Sequence, residues 1–140
     1  MLRLSVNEVT TFRWSFEEDV ARYAEAGLSA IGVWRQKLSD CGGERAVELL
    51  REHDLQVSNF CWAGGFTGSD GRTYRESLND AHEAIQTAAA IGARCLVVYS
   101  GARAGHTLNH ARRLIHSALT ELVPLAEEFG VDLAVEPMHR

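Results

Sequence analysis

Apolar and polar positions follow a repeating order along the chain: a helix-like amphipathic run, a Gly or Asp, and then a short apolar run. The order occurs four times, as EDVARYAEAG before LSAIGVW, VELLREHD before LQVSNF, IQTAAAIG before ARCLVVYS, and LAEEFG before VDLAVE. An apolar segment, LRLSV, precedes the first of them. Because amphipathic runs indicate helices and short apolar runs indicate strands, the pattern predicts five strands interleaved with four helices.

Local signals mark the ends of these helices. Ser15 with Glu18 three positions later is a capping box, in which each side chain satisfies a free amide at the helix start. Glycines that suit left-handed C-caps follow three of the amphipathic runs, at Gly27, Gly92 and Gly130. The boundaries therefore agree with the periodicity.

Two of the predicted helices carry a continuous apolar stripe. In the third helix it consists of Leu78, Ala81, Ile85 and Ala88. In the fourth it consists of Leu108, Ala111, Ile115, Leu119 and Leu122. Pro124 lies inside the fourth run, where its missing N–H is predicted to kink the helix or divide it in two.

The apolar runs AIGV, LVV and LAV are continuous rather than alternating, which is typical of parallel strands covered by helices on both faces. Strands separated by helices favour right-handed βαβ units and an α/β fold. A doubly wound sheet and a (β/α)8 barrel share this pattern over four units, so both arrangements stay open. No linker or low-complexity segment divides residues 1–140, which predicts a single domain.

Composition and charge exclude several classes of protein. The net charge of −5 offers no basic surface for phosphate backbones, so we expect no nucleic-acid partner. No apolar stretch approaches the ~20 residues that span a bilayer, and the N-terminus lacks the pattern of a signal peptide. The cysteines Cys41, Cys61 and Cys95 are odd in number and widely separated, which suits neither a disulfide framework nor a zinc knuckle. We expect a cytoplasmic protein without a membrane partner.

Common nucleotide and metal motifs are absent. The segment after the first strand, NEVTTFRWS, contains no glycine, and GGFTGSDG does not have the G-x-G-x-x-G spacing. His106 and His110 are four residues apart, but the glutamate of an H-E-x-x-H zinc motif is missing. A solvated first helical turn is the simpler interpretation of this pair. The glycine-rich segment 61–74 follows the third strand, which places it in a βα loop on the face where such folds bind ligands.

Aromatic and acidic residues mark the predicted strand ends. Trp14, Trp34 and Trp62 each lie at or just after the end of a strand, where they either pack in the core or wall a small polar ligand. Glu136 ends the apolar run VDLAV, and a carboxylate is costly to bury unless it is paired or binds a metal. This is the position where barrel enzymes keep catalytic groups. Glu136 is therefore the main candidate for chemistry.

Several segments together resemble the sugar phosphate isomerase/epimerase family, a group of xylose isomerase-like TIM barrels. They are AGLSAIGVWRQKL, LQVSNFCWAGGFTG, AAAIGARCLVVYSG and VDLAVEPMH, of which AVEPMH is the most specific. The resemblance runs over essentially the whole chain. It implies the first five strands and four helices of a (β/α)8 TIM barrel with parallel strands.

The resemblance also implies functional roles. In that family the glutamate ending the fifth strand ligates a divalent cation (Mn²⁺, Mg²⁺, Co²⁺ or Zn²⁺) and can serve as an acid/base beside a substrate carbonyl, and both roles fall on Glu136. The implied substrate is a small sugar or another hydroxy-carbonyl compound. By position, the resemblance implies that the substrate pocket is lined by Asn7, Trp34, Asn59, Trp62 and Ser100.

The chain departs from the family in length, since a (β/α)8 barrel takes about 250 residues. The family's other metal ligands, an Asp, a His and a second Glu, come from later strands. We therefore expect an incomplete barrel, a truncated product or a fragment, with weak cation binding and little turnover on its own. Two alternatives stay open. One is a non-enzymatic half-barrel that dimerises through its open sheet edges. The other is an abasic-site endonuclease of the same superfamily, which the absence of histidines after the third and fourth strands disfavours.

Overall fold

Five parallel strands and five helices alternate in the computed structural model, which describes residues 4–137. The strands are β1 (Val6–Asn7), β2 (Ala30–Trp34), β3 (Gln56–Gly64), β4 (Cys95–Tyr99) and β5 (Asp132–Glu136). The helices are α1 (Phe16–Glu25), α2 (Arg35–Cys41), α3 (Gly43–Glu52), α4 (Tyr74–Ala90) and α5 (Leu108–Phe129). The predicted α/β class and the five strands are confirmed.

The strands are ordered β1-β2-β3-β4-β5 in a single sheet, and every neighbouring pair is parallel. A doubly wound sheet reverses its strand order at a switch point, whereas a barrel wall keeps the strands in chain order. The structure therefore decides between the two predicted arrangements in favour of the barrel type. It also brings the carboxyl ends of all five strands to one edge of the sheet.

The predicted helix boundaries are confirmed. Glu18 donates its amide to Ser15 Oγ at 3.2 Å, and Ser15 donates its amide to Glu18 Oε2 at 2.9 Å. A second capping box, formed by Thr73 and Glu76, begins α4. The glycines predicted to end helices have positive φ angles of 76°, 72° and 67° at Gly27, Gly92 and Gly130. Local sequence therefore sets where these helices begin and end.

The helix count is one higher than predicted because residues after β2 form α2. This seven-residue helix begins at Arg35, its N-cap residue Trp34 forms no side-chain cap, and the helix buries only Lys37 and Leu38. Neither a capping signal nor an apolar stripe was therefore present to predict it. The prediction for residues 61–74 was also partly wrong, because β3 continues to Gly64 before the loop begins.

The fourth predicted helix also differs from the prediction. Pro124 does not divide it, because α5 runs from Leu108 to Phe129 as one element. Leu108 was predicted to lie on the buried stripe and is exposed. The residues that α5 buries are mostly small, namely Ala111, Ala118, Leu122 and Ala126. Small side chains allow α5 to lie close to its neighbours. The predicted stripe consisted mainly of large apolar residues, and large residues alone do not identify a buried face that is formed mostly by alanines.

The hydrophobic core lies between the helices and one face of the sheet. Phe60 from β3 and Leu96 and Val98 from β4 pack there against Phe16 of α1 and Leu78 of α4, all within one cluster. The intervening residues of β4, Cys95, Val97 and Tyr99, are only half-buried. The prediction of strands buried on both faces was therefore wrong for these residues, because the helices cover one face only.

β5 is the least covered strand of the sheet. Four of its five residues are exposed, including Val135, and among residues 4–137 its outer edge pairs with no other strand. An exposed apolar strand with unpaired backbone groups is a template for pairing with another chain. We therefore predict that the 140-residue chain forms homodimers in solution.

Charge placed on β5 tests this prediction. We expect Val135→Lys to lower the dimer fraction in size-exclusion chromatography with light scattering, because a lysine protects a strand edge from pairing. Val123→Lys is the matched control, since Val123 is also exposed but lies on α5. A wild-type chain that stays monomeric over the whole concentration series contradicts the prediction.

Candidate active site at the carboxyl ends of the strands

Glu136 reaches the carboxyl edge of the sheet because β5 pairs with β4 in register to its end. Tyr99 is the partner of Glu136 in that ladder, and Trp62 lies near the end of the next strand, β3. The indole N–H of Trp62 donates to Glu136 Oε2 at 2.7 Å. This bond orients one carboxylate oxygen, and the side chain is exposed to solvent. The structure thus connects two of the predicted site residues directly.

A cavity of about 590 Å³ opens at this edge. Its lining combines three aromatic side chains with polar and charged groups from the ends of β2, β3, β4 and β5 and from α2 and α4. The lining residues are Trp34, Arg35, Gln36, Ser39, Trp62, Arg72, Asp80, Tyr99 and Glu136. Aromatic walls with a few convergent polar groups are typical of small-molecule sites.

A second cavity of about 680 Å³ lies beside the first and shares Trp62 and Glu136 with it. It contains the predicted residues Asn7 and Asn59, whose side chains bond to each other (Nδ2 to Oδ1) at 3.0 Å. Gly32 makes room for this pair, because a Cβ there would lie 2.7 Å from Asn7 Nδ2. Four predicted pocket residues therefore lie in the two cavities with Glu136.

Ser100, the fifth predicted pocket residue, lines neither of these two cavities. Its hydroxyl donates to the carbonyl of Gly101 at 3.1 Å, just after β4. The backbone turns there toward the segment of Thr67, which bonds the neighbouring Ala102 carbonyl. Ser100 lies at the carboxyl edge of the sheet, directly after β4, but the local turn directs its hydroxyl to a backbone carbonyl.

Two arginines and two aspartates form an ion-pair cluster at the wall of the first cavity. Asp80 Oδ2 accepts from Arg35 at 2.8 Å and lies 2.9 Å from Arg72. Arg72 also pairs with Asp70 at 2.7 Å and donates to the carbonyl of Gly64 at 3.0 Å. Burial opposes ionisation of Asp80, but bonding to the two arginines outweighs it and lowers the pKa of Asp80.

This cluster was not predicted from the sequence. Arg35 and Asp80 are separated by 45 positions in the chain, and no local motif connects them. Only the sheet order, which places the start of α2 beside α4, brings the two side chains together. The one available signal was that Arg35 directly follows a predicted strand end.

A buried polar network lies below the ends of β1 and β2. Glu8 is fully buried directly after β1, and its Oε2 accepts the backbone N–H of Trp34 at 2.8 Å. Its Oε1 has no hydrogen-bond partner among the described residues. Burial is the main cause that raises the pKa of Glu8 to about 8, and the neighbouring Asp19 raises it further. Burial therefore favours the protonated form of this carboxyl group.

Asp19 and Lys37 form a buried ion pair in the same network. Asp19 also accepts from Thr11 Oγ1 at 2.6 Å, and Lys37 donates to the carbonyl of Thr11 at 2.8 Å. The hydroxyl of Tyr23 lies 2.7 Å from Thr11 Oγ1. The network joins the loop after β1 to α1 and α2, and so it holds the backbone that carries Trp34.

A divalent cation needs several oxygen or nitrogen ligands in a defined geometry. Among residues 4–137, no group of three or more His, Cys, Asp or Glu side chains could hold one. Glu136 has Trp62 as its hydrogen-bond partner, and the His106 ring bonds the carbonyl of Thr67 at 3.0 Å. The described residues therefore do not by themselves fit the implied metal. Met138 and His139 of the AVEPMH motif lie outside the described residues.

Known proteins share both the sequence pattern and the fold. A family model described as xylose isomerase-like TIM barrel matches residues 20–140. A protein of Sinorhizobium meliloti 1021 is 31% identical and superimposes with a TM-score of 0.89, over 97% of this chain and 50% of its own. A search of curated sequences found no match.

Two further structures share the fold at lower identity. The IOLI protein with a bound zinc atom is 19% identical with a TM-score of 0.82, over 98% of this chain and 52% of its own. The 3-keto-D-glucoside 4-epimerase of E. coli is 17% identical with a TM-score of 0.81, over 100% of this chain and 57% of its own. This chain thus spans about half the length of the structures that it matches.

The comparisons agree with the strand order of the fold. No helix among the described residues is long and apolar enough to cross a membrane. The consecutive parallel strands place Glu136, Trp62 and Trp34 at one edge of the sheet, as expected for a barrel wall. Because the family model covers most of its length, the chain belongs to the xylose isomerase-like TIM barrel family.

Proposed function

We propose that this chain contributes the Glu136 side of a sugar isomerase or epimerase site, in which Glu136 transfers a proton next to a substrate carbonyl. The observation that carries the proposal is the placement of Glu136. One of its oxygens is held by Trp62, and the residue lies at the junction of both cavities. Sugar epimerases among the structures that share the fold support the choice of substrate class.

The chemistry requires one proton carrier close to the carbon beside the carbonyl. The carboxylate of Glu136 removes the proton from that carbon, and the electron pair moves to the carbonyl oxygen to give an enediolate. Return of the proton by Glu136 to the former carbonyl carbon, while the proton of the adjacent hydroxyl passes to the first oxygen, isomerises the sugar. Inversion instead needs a second proton carrier on the opposite face of the same carbon. Such positioned proton transfer contributes roughly 10²- to 10⁴-fold to a rate.

Several features of the site suit this role. Trp62 donates to Oε2 of Glu136, which leaves Oε1 available to accept a proton from a substrate. The aromatic side chains of Trp34, Trp62 and Tyr99 can pack against the apolar faces of a sugar ring. Among the described residues no group of three or more His, Cys, Asp or Glu side chains could hold a metal ion, so the role assigned to Glu136 is proton transfer.

Proton exchange provides the test of this role. In D₂O we expect the chain to catalyse slow deuterium incorporation at the carbon beside the carbonyl of a ketose, followed by ¹H NMR over a panel of ketoses. Glu136→Gln should lower the exchange rate by roughly 10²-fold or more, because it removes the proton carrier and keeps the shape.

Two further variants sharpen the measurement. Glu128→Gln, which changes an exposed glutamate on α5, is the matched control and should leave the rate unchanged. Trp62→Phe keeps an aromatic wall but removes the N–H that orients Oε2, so we expect an intermediate loss. Equal exchange rates in the wild type and in Glu136→Gln would show that Glu136 is not the proton carrier.

A further inference from the structure

The Arg35–Asp80 pair presents unused hydrogen-bonding groups at the wall of the first cavity. An arginine has five N–H groups, and Arg35 uses two of them, to Asp80 Oδ2 at 2.8 Å and to the Asp80 carbonyl at 3.4 Å. Its other three N–H groups, and Oδ1 of Asp80, have no partner among the described residues. Both side chains are partly exposed and line the cavity. A donor and an acceptor therefore lie side by side at this wall.

The charges of this wall cancel. Arg35 and Arg72 share Asp80, and Arg72 is held further by Asp70, so two cations face two carboxylates. Bonding to the arginines outweighs burial and lowers the pKa values of both aspartates, which are therefore ionised at neutral pH. Glu136 adds a further carboxyl group to the lining. A phosphate dianion binds well where positive charge is uncompensated, and this wall offers none. A neutral ligand does not need such a charge.

We propose that Arg35 and Asp80 form a specificity-determining subsite for the uncharged, polyhydroxylated end of the substrate. Adjacent hydroxyls each donate and accept, so one accepts from Arg35 while its neighbour donates to Asp80 Oδ1. The inference rests on the proposed function for the ligand being a sugar, and it adds that the sugar carries no phosphate at this end. Trp34 and Trp62 flank the pair and supply the apolar surface for the ring.

Arg72 acts as a positioning residue for this subsite. Its contacts with Asp70 and with the carbonyl of Gly64 fix the guanidinium, which in turn holds Asp80 Oδ2. Oδ1 of Asp80 is thereby left to the cavity. Gly65 is close to the same contact, because a Cβ there would lie 2.7 Å from Asp70 Oδ2 and 3.2 Å from the Arg72 guanidinium. The cluster is thus held tightly by the loop after β3.

Indole N–H signals in ¹H–¹⁵N spectra of the 140-residue chain test the subsite. Trp34 and Trp62 line the cavity and Trp14 does not, so Trp14 is an internal reference. In metal-free buffer we expect D-fructose to shift the signals of Trp34 and Trp62, and inorganic phosphate to leave them unmoved. Arg35→Met should weaken D-fructose binding by roughly 10-fold or more, the effect of losing about 1.4 kcal/mol of charge-assisted hydrogen bonding.

For Asp80→Asn we expect opposite changes in the binding of D-fructose and of inorganic phosphate. The substitution removes one negative charge and leaves the two arginines with a net positive charge. We therefore expect weaker D-fructose binding together with new binding of inorganic phosphate. Arg35→Lys keeps the charge opposite Asp80 but loses the planar fork, so it should weaken D-fructose binding while the dispersed spectrum shows an intact fold.

The control is Arg75→Met, which removes an arginine of α4 that pairs with Glu121 outside the cavity. It should leave D-fructose binding unchanged. Phosphate binding more tightly than D-fructose to the wild type, an absence of D-fructose binding, or unchanged binding in Arg35→Met would each overturn the proposal. The wild-type chain separates the two proposals. Failed proton exchange with intact D-fructose binding contradicts only the role of Glu136, whereas proton exchange with unchanged D-fructose binding in Arg35→Met contradicts only the subsite.

Discussion

Replacing Lys37 by methionine is expected to destabilise the fold by about 3–5 kcal/mol, a large fraction of the roughly 5–15 kcal/mol that stabilises an ordinary domain. Lys37 is buried, and its ammonium group is the partner of the fully buried Asp19. Methionine fills a similar volume but leaves the carboxylate of Asp19 in the interior without a countercharge. The loss of stability follows from that unpaired charge, because the free-energy cost of desolvating a buried ion is offset mainly by its attraction to the partner ion.

A double-mutant cycle distinguishes this cause from a simple packing defect. Asp19→Leu combined with Lys37→Met removes both charges, and we expect it to recover most of the stability that either single variant loses. Free energies of unfolding come from urea denaturation followed by circular dichroism. Arg45→Met is the control, since Arg45 forms an exposed ion pair with Glu48, and it should change stability little. Additive losses in the double variant would contradict the prediction.

The sequence predicted the fold well because its signals are local. Each strand is a short apolar run, and the capping box at Ser15 and the glycine at Gly130 mark helix ends without reference to distant residues. The short helix after β2 was missed because it depends on tertiary contacts of Lys37 and Leu38 instead of an amphipathic stripe. The position of Glu136 at the carboxyl end of β5 could be predicted because the apolar run of that strand directly precedes it in the sequence.

The rest of the site could not be predicted because its partners are distant in the sequence. Arg35 and Asp80 each look like ordinary surface charges until the sheet order brings α2 beside α4. Glu8 directly follows the first strand, a position that could have identified it, but its complete burial depends on α1 and α2 closing over it. Periodicity and motifs therefore do not predict electrostatic contacts between residues that are distant in the sequence.

Replacing Glu8 by glutamine is expected to remove a pH dependence of stability. Burial raises the pKa of Glu8 to about 8 in the folded chain, from the ordinary value of 4.5. Below the pKa of Glu8 in the unfolded chain, the folded and unfolded states both hold the proton, and Glu8 adds no pH dependence to the free energy of unfolding. As pH rises between the two values, the unfolded state releases its proton first, so the wild type loses up to about 1.4 kcal/mol per pH unit relative to the variant.

The groups that face Glu8 set the size of this effect. The charge of Asp19 raises the pKa of Glu8 and that of Lys37 lowers it, while the Trp34 amide bonded to Oε2 also lowers it. Tyr23, Cys41 and Cys61 are further titratable groups that interact with Glu8, and desolvation is the main cause that raises the pKa of each. All three are therefore protonated across the window between pH 4.5 and 8 that Glu8 defines.

Glutamine can keep the contact with Trp34, because its side-chain carbonyl accepts the same N–H without carrying a charge. Urea unfolding measured at intervals from pH 5 to pH 9 should therefore show the wild type falling below Glu8→Gln up to about pH 8 and running parallel to it above. Glu128→Gln, an exposed glutamate of α5, should follow the wild-type curve throughout. Parallel curves for wild type and Glu8→Gln across the whole range would mean that Glu8 is ionised in the folded chain, with Lys37 as its effective countercharge.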